Sequence, residues 1–321
     1  MTVRASSEWS YRGLQALVLE NERVRVVVLP ELGGKIWQLT ALRTGHDLLW
    51  HNPRLDARPV PFGSVYDDLF LGGWDELFPN DIPEELAGEP FPDHGELWAS
   101  PWDWSVERAP DEVRVTLRLA APISACTVVK TLTLRAGERS LSIRTRIDNP
   151  TQLALPYLWK QHIAMPTREP ATIGLGATTV LLGDFGSPRA GRPGDTYTWP
   201  EFRADDGTAT DMSRTLPRES RVSEFQYATE LTDGSCSVRY DDGTGLELRF
   251  DREVFRSCWL FASYGGWRDH EVVVLEPCTG YPVSVQEGRA ADTHQVLEPG
   301  GHVETELTAI VHDGHHEGAT K

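Results

Sequence analysis

The segment "CTVVKTLTLRAGERSLSIRTRIDNP" (residues 126–150) decides the fold class. It is rich in β-branched residues, and its two halves predict two extended strands. The Ala-Gly-Glu sequence at 136–138 separates the halves and predicts the turn of a hairpin. The segment therefore predicts a pair of neighbouring antiparallel strands.

Strand patterns recur along the rest of the chain. The stretch at 113–121 alternates strictly, which predicts valines and leucines facing inward and Arg114, Thr116 and Arg118 facing outward. Asp242-Gly243 predicts the turn of a second hairpin over 236–250. Further strands are predicted at 23–30 and 35–42, whereas helical periodicity is scarce. The chain is predicted to be all-β, with large antiparallel sheets packed face to face.

Two regions interrupt this pattern. Residues 52–102 form a long irregular stretch with many Pro, Gly and Asp, and residues 184–224 are also rich in loops. Irregular stretches of this length in a compact protein are usually functional. We find no linker, so we expect a single domain over residues 1–321, with a frayed tail at 313–321.

Composition excludes several partners. The formal net charge is −17, from 48 acidic and 31 basic residues, so the chain as a whole has no attraction to nucleic acid or an anionic membrane. The sequence has neither a signal-peptide pattern at its N-terminus nor an apolar run long enough to span a membrane. Its four cysteines are widely spaced, which favours buried free thiols and a cytoplasmic protein.

The sequence contains none of the common motifs for metal sites or for nucleophilic catalysis, which leaves acid–base chemistry. His94 lies in "PDHGELW", His162 in "YLWKQHIAMP", and Glu276 ends the apolar run of "EVVVLEPCTGYP". A carboxylate at the end of a buried strand is partly desolvated, which raises its pKa and suits a general base. Each of the three also has a structural alternative, as a hydrogen-bonded histidine or a carboxylate that caps a turn.

Several motifs together resemble the galactose mutarotase-like, or aldose 1-epimerase-like, superfamily. They are "ELGGKIWQL" (31–39), "GGWDELFPN" (72–80), "PDHGELW" (92–98), "WKQH" (159–162) and "LEPCTG" (275–280). The resemblance extends over roughly residues 20 to 312. The pair "PDHGELW" and "EPCTG" is its most specific part.

The resemblance implies a β-supersandwich with a sugar in an open cleft. It implies that His162 is the general acid, that Glu276 is the general base and that His94 binds the sugar near its ring oxygen. The activity implied is interconversion of the α and β anomers of a hexose or related sugar, without metal or other cofactor. The expected partner is a small sugar, and a homodimer is compatible with this interpretation.

The sequence departs from the family in one respect. The Asn-Arg motif that precedes the first histidine in galactose mutarotases is absent, and "HNPR" (51–54) stands in that region. We take Arg54, Trp74 and Asp75 as candidates for replacement contacts, and Lys160 as a further substrate-binding candidate. Trp74 is expected to stack on a pyranose face, the alternative being a half-buried core tryptophan.

Two other functions stay open. One is a hexose-6-phosphate 1-epimerase, which would need arginines or lysines clustered near the cleft. The other is a carbohydrate-binding or sensing protein that has lost catalysis. Because binding alone does not need an acid–base pair, His94, His162 and Glu276 together favour an enzyme.

Overall fold

A computed structural model of the protein describes residues 2–167 and 170–314. Nearly all of its regular structure is β. In chain order the strands are β1 (Arg4–Tyr11), β2 (Leu14–Glu20), β3 (Val24–Leu29), β4 (Lys35–Ala41), β5 (His46–Asp47), β6 (Trp74–Leu77), β7 (Glu84–Leu86), β8 (Glu89–Phe91), β9 (Asp103–Arg108), β10 (Glu112–Ala120), β11 (Thr127–Arg135), β12 (Ser140–Asp148), β13 (Leu155–Tyr157), β14 (Lys160–Pro166), β15 (Ala171–Ala177), β16 (Thr179–Leu182), β17 (Thr196–Thr198), β18 (Glu201–Arg203), β19 (Ala209–Asp211), β20 (Val222–Ala228), β21 (Leu231–Tyr240), β22 (Thr244–Arg249), β23 (Ser257–Tyr264), β24 (Glu271–Cys278), β25 (Gln295–Leu297) and β26 (His302–Asp313). One short helix, α1, spans Val285–Ala290, and 3₁₀ turns lie at Asp67–Leu69 and Arg218–Ser220.

Two large antiparallel sheets dominate the fold. The long sheet has the order β1-β2-β3-β4-β6-β14-β24-β23-β20-β16-β17-β18-β19, with β5 added beside β4. The second sheet has the order β15-β21-β22-β26-β12-β11-β10-β9. Two further sheets have two strands each, β13-β25 and β7-β8. The prediction of an all-β fold with large antiparallel sheets is confirmed.

The hydrophobic core draws its side chains from both large sheets. The predicted hairpin at 126–150 forms as β11 and β12, with Gly137 at a φ of 78° in the turn. Alternation buries Val128, Leu132 and Leu134 of β11 against the long sheet. Burial of each such side chain contributes about 1.5–3 kcal/mol relative to an exposed one.

One inward position of β11 holds a charge. The ammonium of Lys130 is buried in the core, 3.2 Å from a carboxylate oxygen of Glu76 on β6. The Glu76 carboxylate also accepts hydrogen bonds from the Trp159 indole and the Gln161 amide. These donors and the ammonium satisfy a carboxylate that would otherwise be costly to bury within the core.

The structure differs from the sequence-based expectations in two places. Thr116, predicted to face outward, is only 8% exposed, because it lies between Ser105 and Thr131 of the neighbouring strands, with its hydroxyl 3.4 Å from that of Thr131. Asp313, which the sequence placed in a frayed tail at 313–321, still ends β26 and pairs with Arg23 at 3.3 Å. Residues 315–321 lie outside the described part of the chain.

Within residues 2–167 and 170–314, none of the helical segments has the length and apolar character needed to span a lipid bilayer. The irregular region at 52–102 contains only β6, two short strands and one 3₁₀ turn. It lies against the middle of the long sheet, where it forms one wall of the cleft described next.

Candidate active site

A cleft of about 680 Å³ lies over the central strands of the long sheet. Strand register explains why it contains titratable groups. His162 on β14 pairs with Asp75 on β6, and the pairs on either side of His162 place it opposite Glu276 on β24. Directly opposed residues in a sheet point to the same face, so these three side chains form one row across three strands.

The row brings together the residues that the sequence singled out. His94, Lys160, His162 and Glu276 all line this cleft. Lys160 shares the face of His162 because the two are separated by one residue on β14. His94 comes from the irregular region and faces His162, with their ring centroids 6.4 Å apart.

Backbone geometry fixes the position of His94. Its φ is 60°, in the left-handed region that non-glycine residues seldom adopt, and its backbone N–H donates to the carbonyl of Asp81 at 2.7 Å. The next residue, Gly95, lies so close to Phe78 that a Cβ there would be 2.1 Å from the Phe78 carbonyl oxygen. Gly95 is therefore required by a tight turn, and a strained conformation such as that of His94 is frequent at functional sites.

Trp98 and Trp102 support this loop. Both are buried, and the Trp98 indole donates to the carbonyl of Asp93 at 3.2 Å. The Trp102 indole donates to the carbonyl of Leu97 at 3.3 Å. The loop that carries His94 is thus held from beneath by two aromatic anchors.

Lys160 holds two carboxylates in the floor of the cleft. Its Nζ lies 2.5 Å from Oδ1 of Asp81 and 2.5 Å from Oε2 of Glu276, and all three side chains are buried. Burial alone would lower the pKa of Lys160, but the two carboxylates outweigh it and raise that pKa, so the ammonium stays charged. Burial raises the pKa of Glu276, with Lys160 opposing the change and Asp81 adding to it.

The pKa values of the two histidines are shifted in opposite directions. Burial, together with the nearby charges of Lys160 and His94, lowers the pKa of His162 well below its ordinary value, so this imidazole is neutral. Burial also acts to lower the pKa of His94, but Asp81 and Asp93 outweigh it and raise that pKa. Nδ1 of His94 lies 3.0 Å from Oδ1 of Asp93, and Nε2 lies 3.5 Å from Oδ1 of Asp81.

Tyr66 lies behind both histidines. Its ring stacks on His94 with centroids 4.1 Å apart, and its hydroxyl oxygen is 3.1 Å from Nδ1 of His162. The hydroxyl donates to Oδ2 of Asp75 at 2.7 Å, where the Lys35 ammonium also donates at 2.6 Å. Because a hydroxyl has one hydrogen, Nδ1–H of His162 then donates to Tyr66, and Nε2 is the unprotonated nitrogen.

Three predicted contacts lie outside the cleft lining. Trp74 is buried in the core, and its indole donates to Gln161 Oε1 at 2.8 Å. Its neighbour Asp75 belongs to the cleft-facing row. Because successive residues of a strand point to opposite faces, Trp74 points away from the cleft. The expectation that Trp74 stacks on a sugar is therefore wrong. Asp75 is buried beneath Tyr66, and the exposed Arg54 donates to the carbonyl of Arg268.

Sequence reasoning did not assign Asp81, Tyr66 or Phe70, all of which line the cleft. Asp81 directly follows the motif "GGWDELFPN", and this position is the one signal that could have indicated it. Tyr66 and Phe70 lie in the irregular region, where periodicity predicts no direction for a side chain. In the described ranges, no group of three or more His, Cys, Asp or Glu side chains is arranged to hold a metal ion.

Comparisons with known proteins bear on the fold. A family model described as a domain of unknown function (DUF5107) matches residues 5–79. A protein of Klebsiella pneumoniae named as a candidate aldose 1-epimerase superposes with a TM-score of 0.72 at 14% identity, covering 96% of this chain and 83% of that one.

Galactose mutarotase-like proteins superpose in the same way. The one from Lactobacillus casei has a TM-score of 0.63 at 15% identity, over 92% of this chain and 100% of that one. The one from Clostridium acetobutylicum has a TM-score of 0.66 at 10% identity, over 97% and 98%. The chain has the fold of galactose mutarotase-like proteins, and the resemblance seen in the sequence is confirmed at that level.

Proposed function

We propose that the protein is an aldose 1-epimerase, which interconverts the α and β anomers of an unphosphorylated sugar by acid–base catalysis. The observation that carries this proposal is the convergence of His94, Lys160, His162 and Glu276 on one cleft. These residues come from three distant segments of the chain. A site that only binds sugar has no need of a buried carboxylate with a raised pKa opposite a pair of histidines.

The reaction needs two proton transfers. Glu276 takes the proton of the anomeric hydroxyl, the bond between the anomeric carbon and the ring oxygen breaks, and the ring oxygen takes a proton from a histidine. The resulting aldehyde rotates about its bond to the next carbon, and the steps reverse with either face of the carbonyl attacked. A positioned acid or base contributes about 10²–10⁴-fold each.

Both histidines line the cleft, so both are candidates for the second proton transfer. The sequence resemblance assigns that role to His162. The ionisation pattern favours His94, because Asp81 and Asp93 raise its pKa whereas His162 is neutral. In this second arrangement His162 orients the sugar as a hydrogen-bond acceptor, held by Tyr66.

The cleft argues against a phosphorylated sugar. Among the described residues that line it, Lys160 is the only lysine or arginine, and its charge is already balanced by Asp81 and Glu276. A phosphate would also meet Asp67 and Asp93 on the same wall. A hexose-6-phosphate is therefore not the substrate that this cleft suits.

Anomer exchange of free sugars tests the proposal. One-dimensional exchange NMR measures the rate for a panel of aldoses, with the spontaneous rate subtracted. The proposal expects acceleration of at least one sugar. If a sugar binds but its anomers exchange at the spontaneous rate, the protein is a carbohydrate-binding protein.

We also propose a cytoplasmic location, because the four buried cysteines are free thiols.

A further inference from the structure

An aromatic surface continues the cleft beyond the acid–base row. We call it the apolar lobe and define it by Phe185, Phe225, Phe261 and Trp267, all of which line the cleft and are only partly buried. Phe185 lies at its centre, with ring centroids 6.5 Å from Phe225, 5.5 Å from Phe261 and 6.4 Å from Trp267. The four rings therefore form one continuous surface.

Strand register places the lobe beside the catalytic groups. Phe225 on β20 pairs with Phe261 on β23, and Phe261 pairs with Val274 on β24. Val274 precedes Glu276 by two residues, so the lobe occupies the next row on the same face of the sheet. Phe70 joins the two parts, with its ring centroid 5.5 Å from that of His162 and 6.2 Å from that of Trp267.

The size of the cleft exceeds the needs of one sugar ring. Its volume of about 680 Å³ falls in the range of roughly 300–1,000 Å³ that is typical of sites for drug-sized ligands. A hexose held between Glu276 and the histidines leaves the lobe unfilled. Clustered aromatic rings left in contact with water are unfavourable, and such patches usually mark a binding surface.

The chemistry of the lobe favours an apolar occupant over a second sugar. Its four defining side chains offer one hydrogen-bonding group, the indole N–H of Trp267. The nearby carboxylate of Asp184 is on an exposed residue at the edge of the cleft. The hydroxyl groups of a second pyranose would lose water there without gaining enough protein partners.

We propose that the substrate is a reducing sugar that carries an apolar acyl, alkyl or aryl group on one of its non-anomeric hydroxyls, and that the apolar lobe binds this group. The proposal rests on the proposed function, since the anomeric hydroxyl must be free to give its proton to Glu276. It adds the substituent as the feature by which the cleft recognises its substrate.

Calorimetry with stable ether probes tests the lobe independently of catalysis. The probes are glucose, maltose and four mono-O-benzyl glucoses, substituted at O2, O3, O4 or O6. At least one benzyl ether is expected to bind about 10- to 100-fold more tightly than glucose, from burial of its ring. In Phe185→Ala this advantage is expected to shrink by about 2- to 10-fold. Trp104→Ala, an exposed aromatic on the second sheet, is the control that keeps it.

The outcomes separate the two proposals. If no benzyl ether binds more tightly than glucose, or if maltose gains as much as the best ether, the apolar-group proposal is overturned. If the advantage survives Phe185→Ala unchanged, the lobe is not where the group binds, which also overturns it. Anomer exchange of the same compounds by NMR is read separately, and failure to accelerate any of them refutes the epimerase function while leaving the binding result in force.

Discussion

Replacement of Lys160 by methionine removes the one cation that separates two buried carboxylates. Oδ1 of Asp81 and Oε2 of Glu276 each lie 2.5 Å from the ammonium, so these oxygens are no more than about 5 Å apart. Two unit charges at that distance repel by about 3 kcal/mol at an effective dielectric constant of about 20. Removal of one partner of a buried ion pair costs about 3–5 kcal/mol of stability.

The pH dependence of Lys160→Met follows from the sign of this repulsion. Loss of the ammonium raises the pKa of Glu276 further, because Lys160 opposes the effect of burial more strongly than His94 does. A general base acts only when ionised, so the acid limb of the activity profile should move to higher pH. At neutral pH the rate should fall by about 10²–10⁴-fold, the contribution of one base. The loss of stability should be smaller at low pH, where one carboxylate takes a proton.

Lys130→Met is the matched control. Lys130 is equally buried and pairs with Glu76 at 3.2 Å, but it lies in the core between the sheets and does not line the cleft. Urea unfolding should show a comparable loss of stability in both variants, whereas NMR anomer exchange should show the pH shift only in Lys160→Met. An unshifted profile in Lys160→Met, or the same shift in Lys130→Met, would refute the reasoning.

Four further predictions concern the site. Glu276→Gln should keep sugar affinity in calorimetry and lose about 10²–10⁴-fold in anomer exchange; retention of the rate would remove Glu276 as the base. His94→Asn should lose the basic limb and about 10²–10⁴-fold in rate, because the proton donor whose raised pKa sets that limb is removed; loss of the basic limb in His162→Asn alone would make His162 the donor. Tyr66→Phe should cost about 1–3 kcal/mol in urea unfolding, since Nδ1 of His162 and the carboxylate behind it lose a buried partner, and a stability equal to wild type would contradict this. Trp74→Phe should lower stability, because its buried indole bond is lost, with sugar affinity unchanged by calorimetry; a weaker affinity would place Trp74 in the site after all.

Local pattern in the sequence determined the fold class. Alternation over 113–121 and the hairpins at 126–150 and 236–250 depend on period-two burial and on turn residues, which are properties of short segments. Strand order was beyond such reasoning, because β14 pairs with β6 and β24, which lie far from it along the chain. Pairing between distant segments is decided by the whole set of competing contacts.

The same division holds for the site. His94, His162 and Glu276 stood out because titratable groups beside tight turns or apolar runs are costly unless they have a use. The pairing register of the strands decided which side chains share a face of the sheet. It placed His162 opposite Glu276 and directed Trp74 toward the core. Tyr66 carried no signal, since its role comes from the tertiary contacts of an irregular segment with Asp75 and His162. The sequence by itself determined the strands and the chemical groups, whereas the register of the long sheet and the folding of residues 52–102 over it decided which groups meet.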